Sequence, residues 1–254
     1  MWAAQSNQAL ILTYHSISGT GPPLAIPPDL FMQQMEWLAT HASVVRLREV
    51  AEMLRNGTQL PARAVVLTFD DALDDFVSQA APVLANYGLP ATVFVPTGWC
   101  GLNDDWYPHL SGSPAKPLMS WSQIRALSNA DVEFGSHTVS HARLTELTEP
   151  EIDRELADSK RRLECELGRT VELFAFPYGD WSPQLRDRVR QHYKAACTTD
   201  LARVTAASDL CSLPRIDVHY VRSWHRFRSL CAGGAQGYLR LRDVGRRCRR
   251  ALVR

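Results

Sequence analysis

The sequence predicts an α/β protein: a single domain whose parallel sheet closes, or nearly closes, into a barrel. Three observations predict it. Short apolar runs rich in β-branched residues alternate with longer segments of helical period. The runs are numerous enough to wrap a barrel rather than form an open sheet. Polar residues of chemical interest follow the ends of those runs, where a β/α barrel gathers its active site.

The first run is LILTY at 10–14. A helical segment over 31–41 places Phe31, Met35 and Leu38 on one face, and another covers 47–55. The run AVVLTF at 64–69 precedes a helix over 74–87, which Gly88-Leu89-Pro90 closes before ATVFV at 91–95. A helix over 121–127 leads to VEFG at 132–135. The next helix, 151–167, starts beside Pro150 with Glu149 and Glu151 and stops at Gly168. LFAF at 173–176, a helix over 183–192 and KAACT at 194–198 complete the series. The Pro/Gly-rich segments 19–28 and 98–117 read as long loops of the kind that carry function.

The composition is that of an ordinary globular protein: 254 residues, 45% hydrophobic, 22% charged, net charge +1. No run has the length of a membrane-spanning helix, and the N-terminus lacks the basic and apolar regions of a secretory signal. A cytoplasmic location is the expectation. The six cysteines are irregularly spaced with no C-x-x-C pair, so they read as packing residues rather than a disulfide or thiolate-zinc framework. Residues 1–235 are expected to form the catalytic domain and 236–254 a basic tail. That tail carries seven Arg and one Asp, a local charge of +6 against −5 for the rest. Its two readings are an amphipathic helix in peripheral contact with an anionic membrane or acidic glycan, and a solvated terminus. With the remainder net acidic and no reading module present, nucleic acid is not an expected partner.

The chemistry gathers at strand ends. The apolar run 64–69 finishes on Asp70 and Asp71, and VEFG is followed by Ser136-His137 with His141 four residues on. The i, i+4 spacing puts both imidazoles on one side if the chain makes a helical turn. Two histidines and a carboxylate suit a divalent metal with positions left open. One acid is then spent on the metal, while the other stays free to take a proton from a water whose pKa the cation lowers. Asp74 and Asp75 read as acids suited to a helix N-terminus.

The motifs TFDDA, SHTVSH and FAFPYG resemble the first three motifs of the polysaccharide deacetylases, the family-4 carbohydrate esterases related to chitin deacetylase. The similarity runs in order from ILTYHSI to LPRIDV, most of the chain. It implies a distorted (β/α) barrel, seven-stranded or so, that removes acetyl groups from amino sugars with zinc or a similar divalent ion. It makes Asp70 the general base and Asp71, His137 and His141 the metal ligands. It makes Tyr178 the donor of a backbone N–H to the oxyanion.

Three departures from the family pattern matter. Ala72 stands where Gly is usual, which implies a turn with φ below zero there. Ala175 stands where an Arg normally orients the base; Arg215, in LPRIDV, is the candidate to fill that vacancy. The late L-x-H motif that supplies an acid histidine is not evident. LTYHSI resembles instead the opening of an exopolysaccharide branch that carries its acid motif at the start, as if circularly permuted. His15 is then the general acid, with His219 and His225 as rivals.

The expected function is metal-dependent removal of N-acetyl groups from a polysaccharide or its oligosaccharide or glycolipid precursor. An O-acetyl esterase on the same fold uses the same chemistry. A glycan-binding relative without catalysis is supported by Ala175 and opposed by the retained acids and histidines. A two-histidine-one-carboxylate iron oxygenase would share the ligand set, but the β/α alternation and the extra acid Asp70 oppose it.

Overall fold

The computed structural model describes residues 7–19, 24–106, 115–235, 237–239, 241–243 and 245. Strand β1 (Gln8–Tyr14) is followed by helix α1 (Pro28–His41), the short strand β2 (Ser43–Val44) and helix α2 (Leu47–Arg55). Strand β3 (Ala64–Phe69), helix α3 (Ala81–Tyr87), strand β4 (Ala91–Val95), helix α4 (Trp121–Leu127) and strand β5 (Val132–Ser136) come next. Helix α5 (Glu149–Leu167), strand β6 (Leu173–Ala175), helix α6 (Pro183–His192) and strand β7 (Ala195–Cys197) continue the alternation. Strands β8 (Val204–Thr205) and β9 (Ile216–Asp217) and helix α7 (Trp224–Cys231) follow.

The sheet runs β7-β6-β5-β4-β3-β1-β8, with β2 also on β3 and β9 also on β1. The β1–β8 pairing is antiparallel and the other strand pairings are parallel. This strongly curled sheet is the distorted barrel expected. Its two ends meet through one short stretch. Leu213 bridges to Cys197 beside β7, and Ile216 pairs with Leu12 on β1.

Period-2 alternation divides the strand residues between two cores. Leu10, Leu12, Val65, Leu67 and Val93 pack in the larger one with helical residues such as Phe31, Leu38 and Leu156. Ile11, Val66, Phe94, Ala175 and Leu213 form the smaller one, with Leu47 and Val50 of α2 among them. Alanine and valine are frequent among the strand residues of the smaller set, which face one another across a narrow curl, with Phe94 the large side chain that fills it. The same register, continued just past the ends of β1, β3 and β5, leads to His15, Asp70 and His137, and Asp217 ends β9 opposite Thr13.

Helix ends follow local chemistry. Thr148 and Glu151 make a capping box at the start of α5, and Gly168 ends it with φ 64°. The helix expected over 74–87 is interrupted. Phe76–Ala80 is a π-turn that passes into α3, and Ala81 N–H donates to Phe76. Pro82 supplies the cause: it has no N–H and its ring crowds the preceding turn, so the helix widens there. Cys197, Cys211 and Cys231 are buried free thiols, as packing residues should be, while Cys165 is exposed. Cys248 lies outside the described residues. Among the described residues, no helix is long and apolar enough to cross a membrane.

Gly135 pairs with Phe94 across β4 and β5. A Cβ at Gly135 would lie 2.6 Å from the Phe94 ring and 2.9 Å from the Leu173 carbonyl. Gly135→Ala should therefore destabilise the fold by about 1–3 kcal/mol through overpacking, read as a lower urea midpoint at constant slope. An unchanged midpoint would show that the two strands do not meet in this register.

Candidate active site

The strand ends converge as expected. His15, Asp70, Asp71, His137, His141 and Tyr178 line one cleft of about 1820 Å³. Asp70 and Asp71 follow β3, His137 follows β5, and Tyr178 sits in a short turn after β6.

Asp71, His137 and His141 form a buried group whose ligand atoms lie within 4.8 Å of one another. Asp71 Oδ1 is 3.6 Å from His137 Nε2 and 3.2 Å from His141 Nε2. The remaining nitrogen of His137, Nδ1, donates to the Ala175 carbonyl at 2.7 Å. That bond selects the tautomer with a lone pair on Nε2, facing Asp71. Burial pushes the His137 imidazole down to about 4; His141 adds to this, against Asp70 and Asp71. It is therefore neutral at physiological pH, as a metal ligand must be. Burial raises Asp71, but the charge and hydrogen bond of His141 outweigh it and keep the carboxyl ionised. The donor set of one carboxylate and two imidazoles fits a divalent cation.

The second acid has a different partner. Arg215 donates from Nη1 to Asp70 Oδ1 and from Nη2 to Asp70 Oδ2, both at 2.7 Å. The guanidinium also donates to the Thr198 carbonyl at 3.0 Å and to Thr68 Oγ1 at 3.2 Å, and it lies over the Phe94 ring. Arg215 is fully buried. Burial raises the Asp70 pKa, but Arg215 above all, with His137 and His15, brings it below the ordinary carboxylate value. Thus Arg215 reaches Asp70 from β9's side of the barrel, while Ala175 contributes only its carbonyl.

His15 stands on the other side of Asp70. Its Nε2 is 3.9 Å from Asp70 Oδ2, and its Nδ1 is 3.6 Å from Asp217 Oδ2. Nδ1 is buried without a hydrogen bond. Neither His219 nor His225 lines the cleft. His219 lies in the turn after β9, its N–H donating to Asp217, and His225 is exposed on α7. Asp217 was not anticipated from sequence. The signal was available: it lies two residues beyond Arg215 on a strand, hence on the same face.

The site backbone departs from the sequence reading in two places. Ala72 has φ 52°, not a value below zero. The Met119 N–H donates to the Ala72 carbonyl at 2.8 Å and helps hold the buried residue in that conformation. Nor is 137–141 a helical turn, since Thr138 (φ 69°) and His141 (φ 59°) are left-handed. With Asp71 (φ 69°) and Tyr178 (φ 59°), five left-handed non-glycine residues cluster here, each a local cost of about 1–3 kcal/mol that surrounding structure must offset. Glu155 of α5 is one such support. It accepts from the N–H of Val139 and Ser140 and from the Ser140 hydroxyl at 2.7, 3.0 and 2.7 Å.

Asp74 and Asp75 stand where the helix begins, as expected of acids suited to its N-terminus, and they also anchor loops. Asp75 accepts from Ser16, the Ile17 N–H and Lys116, and Asp74 accepts from Gln123. Trp106, from the long loop before α4, stacks on His141 with ring centres 4.6 Å apart.

The fold and the site together define an α/β-barrel enzyme of the carbohydrate-esterase kind. The chain belongs to the polysaccharide deacetylase family, whose model matches residues 57–196. It is 30% identical to the Streptococcus pyogenes deacetylase PplD, solved in complex with acetate, over 82% of this chain and 91% of that one, with a TM-score of 0.72. It is 23% identical to the poly-beta-1,6-N-acetyl-D-glucosamine N-deacetylase of Staphylococcus aureus, over 88% of this chain and 85% of that protein. The structure of IcaB from Ammonifex degensii, at 23% identity, shares the fold with a TM-score of 0.74 over 90% of this chain and 97% of that one.

Two outcomes follow from this geometry. Replacing Arg215 by Met strands a buried carboxylate, which should cost about 3–5 kcal/mol of stability. Adding Asp70→Asn should recover part of that loss, and denaturant midpoints of the three variants would show whether the pair is coupled. His137→Ala should abolish stoichiometric binding of a divalent ion by elemental analysis, and retention of the ion would remove His137 from the ligand set.

Proposed function

We propose that the protein removes N-acetyl groups from an amino-sugar polysaccharide or its oligosaccharide or glycolipid precursor. The observation that carries this reading is the buried Asp70–Arg215 pair beside the Asp71–His137–His141 group, with His15 across the cleft. The activity named for the Staphylococcus aureus relative, on poly-beta-1,6-N-acetyl-D-glucosamine, agrees with it.

Asp71, His137 and His141 would hold the cation, for which zinc suits the nitrogen-rich set. A bound cation there supplies Lewis acidity that polarises the acetyl carbonyl and acidifies water. Asp70 takes the proton of the attacking water. Arg215 orients its carboxylate, leaving it ionised and fixed. The water oxygen bonds to the acetyl carbon, and the backbone N–H of Tyr178 receives the charge that develops on the carbonyl oxygen. The C–N bond then breaks. An amine is a poor leaving group unless protonated, and His15, held toward Asp217, delivers that proton. The products are acetate and a free amino sugar. In this scheme Ala175 does not mark a lost activity, because Arg215 does the work of the missing arginine.

Acetate release from N-acetylglucosamine oligomers and O-acetylated glycans, with and without chelator, tests the reading. Asp70→Asn should retain the metal and lose about 10²–10⁴-fold in turnover. His15→Ala should slow the amide strongly and an O-acetyl aryl ester only slightly, since a phenolate leaves without protonation. If His15→Ala cleaves the amide at the parent rate while His219→Ala or His225→Ala does not, the acid is elsewhere. Chelator-sensitive release from the O-acetylated glycans alone would make the enzyme an esterase.

A further inference from the structure

The start of the arginine-rich tail forms part of the cleft. Tyr238, Leu241, Arg242 and Gly245 line it together with Tyr220, three residues after Asp217. Three contacts fix this wall. The Tyr238 hydroxyl donates to the Tyr220 carbonyl at 3.0 Å, Leu239 is buried, and the Arg242 guanidinium lies over both tyrosine rings, 5.6 Å from Tyr220 and 5.3 Å from Tyr238. Arg226 of α7 packs over the same Tyr238 ring at 5.1 Å.

The cations of the cleft fall into two kinds. Arg143 pairs with Asp180, and Arg188 with Glu149 and Asp153. Among the described residues, Arg242 has no carboxylate within ion-pair distance, nor does the neighbouring Arg226; tyrosine rings hold them instead. A ring engages the face of a guanidinium and leaves its in-plane N–H fork directed outward, in the geometry that matches a carboxylate or phosphate. Five more arginines follow in sequence, Arg246, Arg247, Arg249, Arg250 and Arg254.

We propose that Arg242, on its Tyr220–Tyr238 seat, is a specificity-determining residue that receives an anionic substituent, carboxylate or phosphate, of the glycan substrate on the His15–Asp217 side of the cleft. The substrate class is then an acidic N-acetylated glycan rather than a neutral one, which deepens and rests on the deacetylase reading. A membrane surface is the poorer fit, because Arg242 lines the same cleft as the reacting groups.

The test compares N-acetylglucosamine hexamer with the same hexamer oxidised at C6 to carboxylates. Binding is measured by calorimetry and acetate release is measured in parallel. The carboxylated hexamer should bind about fivefold more tightly at low salt, in line with an exposed charge pair. The ratio should fall toward one in Arg242→Gln and in about 0.5 M salt, where screening is short-ranged. Arg242→Lys should keep part of the preference. Arg161→Gln, the same charge change at an exposed position on α5, should leave it intact. Equal affinity of the parent for both hexamers overturns the proposal, as does a ratio unmoved in Arg242→Gln. So does loss of binding to phosphatidylglycerol vesicles, rather than to the carboxylated hexamer, in that variant. The calorimetric ratio does not depend on turnover, so a charge preference without acetate release would sink the deacetylase reading and leave the anion site standing.

Discussion

The pair between Arg215 and Asp70 is the constraint on which the rest of the site depends. Two charged groups lie at the top of a narrow barrel interior, Arg215 fully buried and Asp70 nearly so. Such a pair is tolerable only when every donor is matched. Here the guanidinium divides its N–H groups among both Asp70 oxygens, the Thr198 carbonyl and Thr68, and places its face on Phe94. Those partners come from β3, β4 and the end of β7. Satisfying one side chain therefore requires the sheet to curl until its far ends meet.

The same curl explains how the metal-type group is built. Strand register delivers His137 to the interior, where the Ala175 carbonyl orients it. It does not deliver Asp71 or His141, whose positions in a regular strand or helix would point elsewhere. Left-handed backbone at Asp71, Ala72, Thr138 and His141 re-aims them. None of these is glycine, so the strain is held by contacts from outside the segments: Met119 on Ala72 and Glu155 on the loop that carries His141. A carboxylate two helical turns into α5 is thus part of the active-site architecture without touching a reacting atom.

The cleft is completed by elements that lie far apart in sequence. His15 from the start of the chain and Asp217 near its end are neighbours because β9 pairs with β1. The first residues of the basic tail close one wall over Tyr220. Residues 236, 240, 244 and 246–254 lie outside the described residues; of the amphipathic helix that the tail's composition suggested, 237–239, 241–243 and 245 are described, and they are helical. A cleft lined by both early and late segments of the chain can vary at those segments without disturbing the central motifs.

By itself the sequence determined the alternation of strands and helices, the ends of α2, α4 and α6, and the residues that would meet at the strand ends. These are local facts: period-2 and period-3.6 patterns, capping residues and the position of an acid pair directly after an apolar run. What it could not express locally was decided by the tertiary structure. The two-residue strands β2, β8 and β9 have no pattern of their own and exist because a neighbour offers a ladder. The partner of Asp70 lies 145 residues away and is chosen by barrel closure. The left-handed turns at Asp71, Ala72 and His141 are imposed by contacts from other segments, since no glycine announces them. Asp217 acquires its place beside His15 only when the two chain ends are brought to adjacent strands.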